Sequence, residues 1–265
     1  MLLEWGDIRE MRVNLNADIG ESFGRFRVGQ DEELMRIIAS ANIACGMHAG
    51  DPTVMHRTTL LANANGVSIG AHPGYNDLWG FGRRELKMPL TDIEHLVAYQ
   101  IGALEAIARA NGLNVTHVKP HGQLHNMAIV DFNIALAIAK AVRSVNRELI
   151  FVGLNGSELE RAARKTELRF AKEAFADRRY EDDGNLTSRR EPDAVIHDTD
   201  EAVRQVVTMM TEGVVVARSG KRVPIEVHSI CVHGDESTAV PLAKSVREGL
   251  ERAGVQVVPL PKMGL

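Results

Sequence analysis

Short apolar runs alternate with longer amphipathic stretches along all 265 residues. RVNLNA (12–17), ANIAC (41–45), VSIGA (67–71), VTHVK (115–119), LIFVGL (149–154), LRFAK (168–172) and SICVH (229–233) read as strands, and VQVVPL (255–260) as an eighth. Helical patterns fill 31–40, 52–65, 91–111, 131–144, 157–165, 199–213 and 237–252. The clearest is TDIEHLVAYQIGALEAIARANG, with Thr91 as N-cap, apolar residues at helical spacing from Ile93 to Ile107, and Asn111-Gly112 as its stop. Strand-then-helix repetition predicts an α/β fold, a parallel sheet covered by helices. No linker, repeat or low-complexity segment interrupts it, so one domain is expected, and seven or eight such units favour a closed barrel over an open sheet.

The first strand departs from that pattern. A parallel strand buried on both faces is apolar on both. In NLNADIGESFG, Asn14, Asn16 and Asp18 share one face while Leu15, Ala17 and Ile19 share the other. Other period-two sets are His117, Lys119 and His121 (if the strand stays extended through Pro120), Asn42 with His48, and Cys231 with His233 and Asp235. Further polar residues follow the strands: Glu21, Asp51, His72, Asp77, His125, Glu173, Asp177 and Arg178. Sites in β/α folds lie at the carboxyl ends of the strands. The pattern therefore predicts a polar cavity at that end.

Composition narrows the class. The net charge of −4, without a basic block, makes nucleic acid an unexpected partner, and no apolar run is long enough to span a membrane. The two cysteines, Cys45 and Cys231, cannot build a disulfide framework, so a reducing cytoplasm is the expectation. Residues 1–10 (MLLEWGDIRE) lack the apolar core of a signal peptide and read as an extension before a domain spanning 11–265. Self-association stays open.

Carboxylate and imidazole groups from separate strands can hold a divalent transition metal; Asp18, His48, His72 and His121 are the candidate ligands. Without a metal, the same groups can move protons while Lys119 stabilises an oxyanion. Lys119 in an apolar strand needs a buried partner. Arg83-Arg84 and Arg178-Arg179 read either as carboxylate or phosphate clamps or as solvated pairs. Asp51 reads equally as a cap for a helix beginning at Pro52, and glycines 46, 50, 70, 74, 80 and 82 as turn-formers. His56, His95, His197 and His228 stand outside the cluster. No phosphate loop, dinucleotide fingerprint or nucleophile elbow is present.

Six motifs in order, NLNADIGESFG, SANIACGMHAGDP, GAHPGYNDLWGFGRR, HVKPHGQLHN, EAFADRRY and ICVHGD, resemble the LamB/YcsF family of 5-oxoprolinase A subunits from Met11 to about residue 260. The resemblance implies a seven-stranded β/α barrel related to polysaccharide deacetylases, with VQVVPL as an accessory strand. It further implies ATP-dependent opening of 5-oxo-L-proline to L-glutamate together with 5-oxoprolinase subunits B and C, with ATP consumed by the complex rather than bound by this chain alone. In that setting Asp18, Lys119 and His121 would be catalytic, and Asn16, Glu21, Arg83 and Arg178 would contact substrate. Two positions depart from the family pattern: Asn14, where Asp is usual, and His125, where Tyr is usual. The rival readings are a metal-dependent amidase or deacetylase independent of ATP, and a non-catalytic binding subunit.

Overall fold

A computed structural model describes residues 11–188, 191–232 and 239–265; the expected extension 1–10 and the His233–Asp235 part of the fourth polar set lie outside them. The chain runs β1 (Arg12–Ile19), α1 (Asp31–Leu34), β2 (Ser40–Ala44), α2 (Pro52–Asn65), β3 (Ser68–His72), α3 (Leu90–Ala110), β4 (Val115–Val118), α4 (Gly122–Ala128), α5 (Phe132–Val145), β5 (Ile150–Leu154), α6 (Glu158–Lys165), β6 (Phe170–Phe175), α7 (Thr199–Glu212), β7 (Val214–Val216), β8 (Arg222–Pro224), β9 (Ser229–Val232), α8 (Ala239–Arg252) and β10 (Gln256–Val257). Strands β1 to β6 pair in succession, all parallel, and β9 pairs with both β6 and β1. That closes a seven-stranded barrel, with β10 added parallel to the start of β1.

Several elements differ from the pattern's prediction, each for a local reason. The helix expected over 31–40 stops at Leu34, because Ser40 already begins β2. Thr91 lies inside the first turn of α3, and Pro89 takes the cap position. Strand β6 runs to Phe175, so Glu173 is a strand residue rather than part of the following loop. Helix α4 and the β7–β8 hairpin were not predicted; the Ser219-Gly220 turn marks the hairpin. Asp51 is the cap of α2, its Oδ1 accepting from the Thr53 and Val54 amides at 2.8 and 2.9 Å.

The two faces of each barrel strand have different partners. Leu15, Ala17, Ile19, Ile43 and Ile69 are fully buried in the main apolar cluster with Val97, Ile101 and Leu104 of α3. Burying each of the leucine, isoleucine and valine side chains stabilises the fold by about 1.5–3 kcal/mol. The inward face of β1 is polar throughout. At the amino end of the barrel Asn14 donates to Ser40 Oγ (2.7 Å), accepts from Ser229 Oγ (2.8 Å), and donates to the Val258 carbonyl (2.9 Å). One layer up, Asn16 Oδ1 accepts from Asn42 (2.7 Å), and Asn42 Oδ1 lies 3.1 Å from His117 Nε2. Leu260, on a one-turn helix after β10, packs with Ile150, Val152 and Ala171 and donates its amide to Ser40 Oγ, closing the amino end. The carboxyl end stays open.

Candidate active site

The uppermost inward layer is charged. Lys119 Nζ lies 3.1 Å from Asp18 Oδ1, 3.1 Å from Glu173 Oε1 and 3.0 Å from Cys231 Sγ. An ammonium has three N–H bonds, and these three neighbours take all of them. The expected Lys119–oxyanion contact therefore has no free donor in this arrangement. Burial opposes the Lys119 charge, but Asp18, Cys231 and Glu173 outweigh it and carry its pKa well above the ordinary lysine value. Burial raises the Glu173 carboxyl, against the pull of Lys119. The sequence pattern counts Glu173 among the polar residues after its strand but gives it no role; the structure seats it within β6, facing Lys119.

Beside this layer the first three loops and the β4–α4 junction bring together Glu21, His48, His72 and His121, whose ligand atoms all lie within 4.8 Å of one another. His121 arrives because the chain stays extended past Val118: the Lys119 amide donates to Ala71 O (3.0 Å) and the His121 amide to Pro73 O (2.8 Å). The loop after β3 is held by Gln100 of α3, which donates to and accepts from the Gly74 backbone, each at 2.9 Å. A Cβ on Gly74 would stand 2.6 Å from His48 Nδ1, and one on Gly82 (φ +64) would stand 2.8 Å from both His48 and His121. Gly74 thus permits close approach of His48 rather than simply shaping a turn.

The imidazole tautomers follow from their neighbours. His72 Nδ1 lies 2.7 Å from the Lys119 carbonyl and His121 Nε2 lies 2.8 Å from the Phe81 carbonyl, so each of these nitrogens carries the proton. Phe81 presents that carbonyl from a left-handed backbone (φ 54) that an aromatic residue seldom adopts. The bare nitrogens, His72 Nε2 and His121 Nδ1, then face each other at 3.0 Å, with Asp18 Oδ2 3.2 Å from the former. Burial and then His72 hold His121 down to about 3, so it is neutral at neutral pH. His48 stacks on His121 (3.7 Å between centroids), is 1 % exposed, and neither of its ring nitrogens has a hydrogen-bond partner among the described residues. Burial, followed by His121 and His72, lowers its pKa well below the usual value. Converging lone pairs and an orphaned imidazole are what a cation site presents. Three imidazoles and a carboxylate suit zinc or another first-row transition ion.

Asp18, His72, Lys119 and His121 open onto a cavity of about 550 Å³ walled by Arg83, His125, Phe175 and Arg178, among others. Of the substrate-contact candidates, Arg83 and Arg178 line it; Arg178 spends part of its guanidinium on the Thr187 and Ala194 carbonyls. Glu21 joins the histidines instead, and Asn16 lies a layer below, bonded to Glu173, Ser229 and Asn42. Arg84 is taken by Asp77.

The family model described as the LamB/YcsF family matches residues 13–264. This chain is a LamB/YcsF protein. It is 51% identical over 248 residues (94% of this chain, 96% of the relative) to the A subunit of 5-oxoprolinase from Natranaerobius thermophilus. The lactam utilization protein from Thermus thermophilus matches this LamB/YcsF chain with a TM-score of 0.90 and 45% identity, covering 94% of this chain and 99% of that one. A T48 deacetylase shares the fold (TM-score 0.50, 15% identity, covering 96% and 90%). The word "subunit" in the first relative's name places that protein in a multi-subunit complex. Among the described residues no helix is long and apolar enough to cross a membrane.

Proposed function

We propose that this chain is the cytoplasmic A subunit of an ATP-dependent 5-oxoprolinase and, together with subunits B and C, opens the lactam of 5-oxo-L-proline to give L-glutamate. The observation that carries this reading is the polar floor of the cavity, where Asp18 meets Lys119, His72 and the histidine–glutamate cluster. The names of the relatives supply the substrate.

In this reading the substrate ring enters the cavity and its carboxylate meets Arg83 at the rim, with Arg178 on the facing wall. Asp18 accepts a proton from the attacking water, and Lys119 keeps that carboxylate ionised and fixed rather than touching the oxyanion itself. Glu21, His48, His72 and His121 would hold a divalent metal, which when bound polarises a carbonyl. His121, neutral and fixed through Nε2 to Phe81, keeps its bare Nδ1 turned to that cluster, and the proton that Asp18 takes from water is the one passed on to the departing amine. This chain carries no phosphate loop, so B and C spend the ATP, activating the lactam carbonyl before water attacks.

The test is glutamate release from 5-oxoproline and ATP by purified B and C, with and without this chain. Release is expected only when the chain is present. Asp18→Asn and His121→Ala should each lower turnover at least tenfold, about 1.4 kcal/mol of barrier, with assembly intact. Full activity in both variants removes the catalytic assignment. Amide hydrolysis lost on chelation yet indifferent to ATP would replace it with the metal-amidase reading.

A further inference from the structure

The loops at the carboxyl end of the barrel carry a surface that the chemistry above does not use; one of them also gives Arg83 to the cavity wall. Trp79 is 97% exposed and its neighbour Leu78 is 43% exposed on the loop after β3; Phe26 (77%) and Phe23 (40%) stand on the loop after β1. Both loops lie at the open, carboxyl end of the barrel. Both are also fastened to the loop after β2: the Gly24 amide donates to Asp51 Oδ2 at 2.7 Å, and the Asp77 amide to Met47 O at 3.1 Å. Neither aromatic group sits on a slack segment. Phe23 and Phe26 exchange backbone hydrogen bonds (3.1 and 2.9 Å) across a tight turn. Trp79 lies within a clasp in which Asp77 accepts from the Gly80 amide and from Arg84.

Arg25 and Arg27 flank Phe26, are exposed and make no ion pair among the described residues, whereas on the other loop Arg84 is paired with Asp77 and Lys87 stands near Glu85 in sequence. The chain as a whole carries −4. Exposed aromatic side chains on fastened loops, with arginines that make no ion pair beside Phe26, have the composition of a binding hot spot, since a side chain carried on a held backbone loses less freedom on docking. Scattered surface apolar residues do not combine these features.

We propose that Trp79 and Phe26, with Arg25 and Arg27, form the seat for the ATP-consuming part of the complex, a protein surface offering an apolar socket for the indole within an acidic rim. This rests on the function proposed above and adds where its partner sits. A partner there sits beside the cavity, whose wall shares Arg83 with the loop after β3, so an activated lactam has a short path from one chain to the other. It also bears on the 77–84 segment, whose Phe81 carbonyl fixes His121 and whose Gly82 backbone packs on His48.

The experiment uses the full chain with purified B and C subunits, reading association by sedimentation and glutamate release as a function of the concentration of this chain. Trp79→Ala/Phe26→Ala and Arg25→Glu/Arg27→Glu should each weaken association at least tenfold and raise the half-saturating concentration, with the plateau rate recovered at high concentration. Tyr99→Ala, which removes an exposed aromatic from the outer face of α3, should change neither. Unchanged unfolding midpoints establish that the variants fold. Wild-type association and release with undiminished binding by both double variants overturns the docking surface and leaves the function standing. Absence of association and release with the wild-type chain overturns the function, and the seat with it.

Discussion

Replacing Lys119 by Met removes the one cation between two buried carboxylates while keeping most of the side-chain volume. Nζ lies 3.1 Å from Asp18 Oδ1 and 3.1 Å from Glu173 Oε1, and Glu173 is fully buried. At an effective dielectric of 20 each contact is about 5 kcal/mol of attraction, much of it offset by desolvation. Removing one partner of such a buried group costs about 3–5 kcal/mol, because the remaining charge is left unpaired. That corresponds to a drop in unfolding midpoint on the order of 10 °C for a chain of this size. The loss must depend on pH. Burial already raises the Glu173 carboxyl, and without Lys119 it rises further. The folded variant then binds protons that the unfolded chain has released, so its stability falls as pH rises through the raised folded value. Urea unfolding of the chelator-treated wild type and variant at pH 5 and pH 8 measures this: the deficit should be large at pH 8 and clearly smaller at pH 5. Adding Glu173→Gln should recover part of the pH 8 deficit. A deficit equal at both pH values, or below about 1 kcal/mol at pH 8, would refute the electrostatic account and leave only packing.

Chelator-treated protein titrated with Zn²⁺ or Co²⁺ should bind one equivalent and gain about 2.7 kcal/mol of stability at a hundredfold excess over Kd; calorimetry should find that binding lost in His48→Ala and Glu21→Ala. Gly74→Ala places a methyl against His48 Nδ1, so it should weaken that metal binding and cut turnover at least tenfold, whereas retained metal binding would show that the loop yields freely. Burial raises the Asp31 carboxyl to about 6 despite its bond from the Gly20 amide. A raised folded value gives stability that is present below pH 4 and lost as pH rises through 6, so wild type should lose about 3 kcal/mol over that window that Asp31→Asn does not.

Strand and helix alternation made the barrel legible, because the outward faces of the strands and the inward faces of the helices are apolar at regular spacing, as in Leu15, Ala17 and Ile19, which lie in the same apolar cluster as the buried residues of the helices. The polar face of Asn14, Asn16 and Asp18 also announced that the interior is not oily. What it could not announce is depth. Asn16 and Asp18 are two residues apart and alike in pattern, yet one is saturated below the floor and the other opens to the cavity. Glu21 and Arg84 show a second limit. Both follow glycine turns, and whether such a side chain points to the cavity, the histidines or a local partner depends on loop paths that no periodicity encodes. His48, His72 and His121 were found by their flanking Gly and Pro. Their mutual orientation required the Phe81 and Lys119 carbonyls, which leave no trace in residue identity.

The inward column from Asn14 through Asn16 to Asp18 has a consequence for how the barrel chooses its alignment. Strand pairing has period two, so a slip of β1 by a single residue would turn Leu15, Ala17 and Ile19 toward Ser229, Glu173 and Lys119 and drive two amides and a carboxylate into the apolar cluster outside the barrel. An oily barrel interior would tolerate such a slip with repacking. Here the inward groups of β1 are matched by hydrogen-bonding partners in the aligned register: Asn14 with Ser40, Asn16 with Asn42, and Asp18 with Lys119. The residues that carry the chemistry thus act as a key for folding, rejecting misaligned barrels before any substrate is met.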